Sequence, residues 1–239
     1  MRGILNRETA LFLDFDGTLV PIQDDPDAVH LPDGGAAIIE SLAERLSGAL
    51  AMVSGRDGRD LSKRVPTSVW RAGNHGDMLL PPGSTKPSHV EGPTAELLER
   101  ARQIAATHEG VVLEEKARVL TLHTRQCRQH EASVAKALEE LVAGIDGYKL
   151  QRGKDVAELK PAGVHKGIAI ERLLDEDAFR GRKPLFLGDD TTDEDGFRVC
   201  LDRGGSAIKV GDGETLAPHR LADHHDVWRF LKEALDDLS

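Results

Sequence analysis

Ala10, Leu11, Phe12 and Leu13 form an unbroken apolar run, and two carboxylates, Asp14 and Asp16, stand at its end on alternate positions before Gly17 and Thr18 turn the chain. A continuous apolar run of this kind reads as a strand buried on both faces, as in a parallel sheet. The carboxylates are not core residues. An unpaired buried charge costs several kcal/mol or forces its own neutralisation, so acidic groups at a strand's carboxyl end call for a cation or for the open crevice where α/β sheets bind ligands. The plainer alternative is an acidic turn in solvent.

The same device recurs further along. Leu50 to Val53 reads as a strand that runs into Ser54-Gly55-Arg56-Asp57, just before a short helical stretch ending near Arg64. Unsatisfied N–H groups and the helix dipole make such a turn an anion site, although Ser54 taken alone reads first as a helix cap. Lys160 to Gly167 is a loop that opens a helix through Leu174, with Lys166 in its first turn, the electrostatically unfavourable end for a cation. A lysine held there can serve a phosphate and the Asp14 carboxylate; the plain alternative is a solvated surface lysine. Pro184 to Leu187 is a further strand, running into Gly188-Asp189-Asp190-Thr191-Thr192-Asp193-Glu194-Asp195. Asp193, Glu194 and Asp195 suit the first turn of a helix, whereas Asp189 and Asp190 repeat the strand-end arrangement of Asp14 and Asp16. If neighbouring strands bring the two acidic ends together, the carboxylates repel unless a hard divalent cation binds them, and a few oxygen ligands plus waters suit Mg2+.

The rest of the chain bounds what this site can serve. Its 239 residues, 39% of them hydrophobic, suffice for one large domain or two small ones, and a formal net charge of -10 argues against a nucleic-acid or anionic-membrane partner. Cys127 and Cys200 offer no paired spacing, and the first apolar run is interrupted by Asp14. The expectation is a cytoplasmic protein with no membrane span. Pro21 to Pro32 reads as an acidic loop, and Ile38, Leu42 and Leu46 mark a helix after it. Pro81, Pro82, Gly83, Pro87, Gly92 and Pro93 then punctuate the chain, followed by helix, two strands, helix and two strands, the order of an inserted α+β unit. Within that insert, Glu114 and Lys116 share a strand face, Arg125 follows the next strand and Glu158 lies on the last one. These are either solvated cross-strand charges or the interleaved donors and acceptors that sugar hydroxyls require.

The four strand-end motifs, Asp14 to Thr18, Ser54, Lys166 and Gly188 to Asp193, resemble in order those of the haloacid dehalogenase superfamily. Val53-Ser54-Gly55-Arg56, Ala72-Gly73-Asn74-His75-Gly76, Leu122-His123-Thr124-Arg125, Glu158 to Gly167 and Gly188 to Asp195 are similar to the signatures of trehalose-6-phosphate phosphatases. The resemblance implies an α/β, Rossmann-like core with a parallel sheet over residues 1–77 and 161–239, and an α+β cap over 78–160. It implies Asp14 as nucleophile and Asp16 as general acid and base, with Ser54, Gly55 and Lys166 on the phosphate. Mg2+ would be bound by Asp14, the Asp16 backbone carbonyl and Asp189, with Asp190 and Asp193 around it. Arg56, His75, Glu114, Lys116, Arg125 and Glu158 would contact a phosphorylated disaccharide. Nothing in the sequence points to or against a docked trehalose-6-phosphate synthase. Thr124 departs from the family pattern, which usually has Tyr. Other phosphorylated sugars, such as sucrose phosphate or glucosylglycerol phosphate, a phosphohexomutase reaction, and a non-catalytic phosphosugar sensor are the alternatives.

Overall fold

A computed structural model of the chain describes residues 3–23, 28–87, 93–116, 118–145, 147–153 and 155–238. In chain order the elements are β1 (Thr9–Leu13), α1 (Gly35–Arg45), β2 (Leu50–Val53), α2 (Gly58–Leu61), β3 (Trp70–Gly73), β4 (Met78–Leu80), α3 (Ala95–Ala106), β5 (Val112–Lys116), β6 (Val119–His123), α4 (Glu131–Ala143), β7 (Tyr148–Gly153), β8 (Val156–Pro161), α5 (Lys166–Leu174), β9 (Lys183–Gly188), α6 (Glu194–Asp202), β10 (Ser206–Val210), β11 (His219–Leu221) and α7 (His224–Asp237). They make two compact units, Met1–His89 with His165–Ser239, and Val90–Val164.

The first unit holds a seven-stranded sheet in the order β11-β10-β9-β1-β2-β3-β4, parallel except for β4. Every residue of β1 is buried, because β1 lies between β2 and β9, with Leu11 beside both Leu50 and Leu185. Phe12 stacks on Phe179 at 5.5 Å, and burying side chains of this size contributes about 1.5–3 kcal/mol each. On the far side of the turn after β1, the Trp228 indole of α7 donates to the Leu19 carbonyl at 2.7 Å and so fixes that turn against the last helix.

The sheet extends beyond residue 77, the expected edge of the core. Met78–Leu80 pairs antiparallel to β3, so these residues add a strand to the first unit, whose first segment runs to His89. Three buried apolar residues suffice for a short edge strand, and the Pro and Gly residues that follow it masked the signal. Arg71 on β3 is fully buried; its guanidinium donates to the carbonyls of Pro81 and Ser84 at 2.8 and 2.9 Å and to Ser62 Oγ at 2.8 Å. Residues 24–27 of the expected acidic loop, and Gly92 of the Pro/Gly stretch, lie outside the described residues.

The second unit is a four-stranded antiparallel sheet in the order β5-β6-β8-β7. Leu120 and Leu122 of β6 and Ala157 and Leu159 of β8 alternate onto one face, where they pack with Leu97 and Ala101 of α3 and Val134, Leu138 and Leu141 of α4. Residues between them in sequence, including Thr121 and Glu158, belong to the opposite face.

Candidate active site

The parallel ladder itself positions the first carboxylate. The Asp14 N–H donates to the Leu187 carbonyl at 3.0 Å, carrying the β1–β9 pairing one step beyond the strand, and Asp14 is left only 3% exposed. Lys166, the first residue of α5, reaches the same point: its Nζ is 2.7 Å from Asp14 Oδ1 and 2.6 Å from Asp193 Oδ1. The unfavourable placement of an ammonium at a helix N-terminus is thereby offset by two carboxylates. Burial pushes the Asp14 carboxyl well up, opposed by Lys166 and reinforced by Asp193 and Asp189. Burial alone would lower Lys166, but Asp14 and Asp193 outweigh it and hold the ammonium above its ordinary range. Burial, with Asp193 next in weight, also raises Asp189.

Asp14, Asp189 and Asp193 each present a carboxylate oxygen within 4.8 Å of the others. Three such groups against one lysine leave an excess of hard oxygen donors and negative charge, a donor set that fits Mg2+. Thr18 Oγ1 lies 3.3 Å from Asp14 Oδ2 and 3.4 Å from Asp189 Oδ1, bridging the two strand ends. Gly17 has φ 78°, and a Cβ there would fall 2.0 Å from Asp189 Oδ2, so the close approach of the two acidic ends requires glycine. Asp190 is not in the three-carboxylate cluster. It caps the turn into α6: its side chain accepts from the Thr191 N–H at 2.6 Å, and its own N–H donates to Asp193 Oδ2 at 2.9 Å.

The Asp16 side chain turns away from this cluster toward Arg56, whose Nε and second terminal nitrogen donate to its two oxygens at 2.6 and 2.7 Å. Arg56 also pairs with Asp60 at 3.0 Å, and its guanidinium lies 5.6 Å from the Phe15 ring centroid, so its orientation is fixed from three sides. Asp16 raises the Arg56 pKa most, against burial, with Asp60 adding to it. Ser54 is buried and its Oγ accepts from the Arg56 N–H at 3.1 Å. Ser54 is not a helix cap: Asp57 caps α2 instead, and α2 ends at Leu61, short of the expected Arg64. His75 has φ 56° in the turn after β3, its N–H donates to the Ser54 carbonyl at 3.0 Å, and a Cβ on Gly55 would fall 2.7 Å from its ring.

Asp14, Asp16, Ser54, Gly55, Arg56, His75, Lys166, Asp189 and Asp190 thus line one cleft of about 640 Å³, with Ile22, Gln23 and Thr192 completing it. The last three escaped sequence reading; Ile22, 76% exposed, carries no polar signal, and Gln23 and Thr192 look like ordinary loop residues. Lys209 also went unnoticed. It is 4% exposed on β10 and its Nζ donates to the Asp189 backbone carbonyl; a lysine amid the apolar run Ala207 to Val210 was the available clue.

In the second unit, strand register aligns Glu114, Thr121, Glu158 and Gln151 in one row across the face opposite α3 and α4, where Thr121 is buried. His123 Nε2 lies 2.9 Å from Glu114 Oε2. Arg125 is exposed just past β6, and the side chain of Lys116 lies outside the described residues. Thr124, where the family pattern has Tyr, is buried and its Oγ1 makes no hydrogen bond among the described residues.

Comparison with known proteins places this geometry in context. Residues 12–224 match the family model described as trehalose-phosphatase. The chain is 38% identical over 231 residues to the trehalose-6-phosphate phosphatase of Escherichia coli, covering 95% of this chain and 87% of that protein. It is 36% identical to the probable trehalose-phosphate phosphatase of Sinorhizobium fredii, covering 84% and 77%. A crystal structure of Aspergillus fumigatus trehalose-6-phosphate phosphatase superimposes with a TM-score of 0.71 at 29% identity, covering 97% of this chain and 93% of that one.

Proposed function

The chain belongs to the trehalose-phosphatase family, and on that premise we propose that it hydrolyses trehalose 6-phosphate to trehalose and inorganic phosphate by two successive displacements at Asp14. The observation that carries the reading is Asp14 itself, a buried carboxylate at a strand end, held 2.7 Å from a buried ammonium in a cleft that several charged side chains line. In the first displacement an Asp14 oxygen attacks phosphorus, the P–O bond to the sugar breaks, and protonated Asp16 gives its proton to the departing sugar oxygen. In the second, Asp16 takes a proton from water as that water attacks phosphorus, and the Asp14 carboxylate leaves.

Ser54, the Gly55 N–H and Lys166 hold the phosphoryl oxygens and oppose their charge. Arg56 holds both oxygens of Asp16 and is itself held by Asp60 and Phe15, so Asp16 must leave that pair to carry a proton and give it up. Asp14, Asp189 and the Asp16 backbone carbonyl would hold Mg2+, with Asp190 and Asp193 around it; when bound it screens the nucleophile from the anionic phosphate. The unit of residues 1–89 and 165–239 serves as the catalytic core, where His75 contacts the substrate, and the inserted α+β unit serves as a cap whose Glu114, Lys116, Arg125 and Glu158 read the disaccharide. No helix among the described residues is long and apolar enough to cross a membrane, and Cys127 and Cys200 are free and buried, which supports a cytoplasmic setting.

Phosphate release tests the reading. Over a panel of phosphorylated sugars, with Mg2+ and with chelator, trehalose 6-phosphate should be the best substrate, chelator should stop release, and Asp14→Asn should abolish turnover while the protein stays folded. Appreciable turnover by Asp14→Asn would remove the covalent mechanism, and indifference to the sugar would remove the substrate.

A further inference from the structure

Lys209 is a second buried ammonium beside the carboxylate cluster, and the hydrolytic mechanism makes no use of it. It sits on β10 opposite Gly188 of β9, between Ile208 and Val210, which are both buried. Its one hydrogen bond is to the backbone carbonyl of Asp189, and it makes no ion pair with a described carboxylate. Burying an ammonium without an ionic partner is costly, so a lysine whose stem fills an apolar strand position and whose head serves a single carbonyl needs a compensating role.

Asp189 lies directly after Gly188, the most permissive residue available for the backbone, and its side chain belongs to the cluster that fits a divalent cation. We propose that Lys209 is a positioning residue for that cation: by tying down the peptide that follows Asp189 it keeps the Asp189 carboxylate aimed at Asp14 and Asp193. The charge of Lys209 works in the other direction, since an ammonium near the site repels a cation. Loss of the tether and loss of the charge therefore change cation affinity with opposite signs, and a residue that only fills space changes it in neither.

The inference rests on the reading that Asp14 and Asp189, with the Asp16 backbone carbonyl, take a divalent cation beside Asp193. Its test is calorimetric titration of Mg2+ into chelator-treated full-length protein without substrate, for the wild type, Lys209→Met and Lys209→Gln, each checked by a thermal melt. Methionine keeps the apolar stem and removes both donor and charge; glutamine, one bond shorter, removes the charge and keeps an N–H donor. Lys209→Met should weaken Mg2+ binding about tenfold or more, Lys209→Gln should stay within about threefold of the wild type, and saturating Mg2+ should return the kcat of Lys209→Met close to wild type. Equal or tighter Mg2+ binding by Lys209→Met, or binding by Lys209→Gln as weak as that of Lys209→Met, overturns the role of Lys209 alone. If Lys209→Met does not fold, Lys209→Leu, which also removes donor and charge, takes its place by the same bounds. A wild type that binds no Mg2+ overturns the cation reading and this inference together.

Discussion

Lys166→Met is the substitution through which the electrostatics of the buried site can be measured most directly. In the wild type one ammonium lies 2.7 Å from Asp14 and 2.6 Å from Asp193, and all three side chains are at least 96% buried. Two unit charges about 4 Å apart attract by about 4 kcal/mol at an effective dielectric of about 20, so the two pairs supply a gross attraction of about 8 kcal/mol. Most of that offsets the desolvation of the three ions. What remains visible on deleting one member of such a buried group is about 3–5 kcal/mol, because the partners are left uncompensated. For a chain of this size that corresponds to a fall in Tm of roughly 6–20 °C. Urea unfolding followed by circular dichroism, in chelator, measures it. A second substitution separates electrostatics from packing: Asp193→Asn should destabilise the wild type by removing a partner of Lys166, yet stabilise Lys166→Met by removing an orphaned negative charge. If Asp193→Asn destabilises both backgrounds to the same extent, the three groups are not electrostatically coupled and the account of the site is wrong.

Gly17→Ala combines a left-handed φ, costing about 1–2 kcal/mol for a residue with a Cβ, with a collision at the Asp189 carboxylate, so it should lower both Tm and Mg2+ affinity. Unchanged Mg2+ titrations would show that the approach of the two strand ends does not set the cluster. Asp60 has its carboxyl lowered chiefly by Arg64, against burial, with Arg56 adding to the effect. A depressed folded-state pKa stabilises above the unfolded value of about 4 and loses that contribution as pH falls through the folded value, so the stability difference between wild type and Asp60→Asn should be constant from neutral pH to about 5 and shrink below about 4. A difference independent of pH down to 2.5 would contradict it. Glu158→Ala or Arg125→Ala should lower kcat/KM for trehalose 6-phosphate by about 1.5–3 kcal/mol per lost charged hydrogen bond and leave p-nitrophenyl phosphate within about 0.5 kcal/mol. Equal losses on both substrates would mean that these residues support the fold and not the sugar.

What could be read from sequence followed from how each element earns its burial. Leu50–Val53, Val119–His123 and Ser206–Val210 are strands with the bounds their apolar or alternating patterns indicate. β11, by contrast, is His219–Leu221, an edge strand with no apolar run, created by pairing with β10. Its existence depends on a partner, and no local pattern encodes it. The same holds within the site. Asp14 and Lys166 were visible because a charge at a strand or helix end is locally anomalous, whereas the bidentate Arg56–Asp16 pair and the Lys209 tether arise only from strand order. Ser54 shows the converse: serine before a helix reads as a cap, yet Asp57 three residues later takes that place and leaves the Ser54 hydroxyl facing the cleft.

The central strand has a consequence for the newly made chain. β1 leaves the ribosome well before its neighbour β9, and Lys166 follows Asp14 by 152 residues. At translation rates of about 5–20 residues per second that is a delay of roughly 8–30 s. Val90–Val164 has its own sheet and its own apolar core, and all of it is synthesised within that interval. The inserted unit therefore has its own sheet and core in place while the surrounding one still lacks three of its seven strands, and the pocket of carboxylates closes only once Lys166 and the strands after it arrive. A ribosome stalled before Leu185 would display a finished insert on an unfinished enzyme, with an apolar strand unpaired along one edge, the state in which a chaperone would meet this chain.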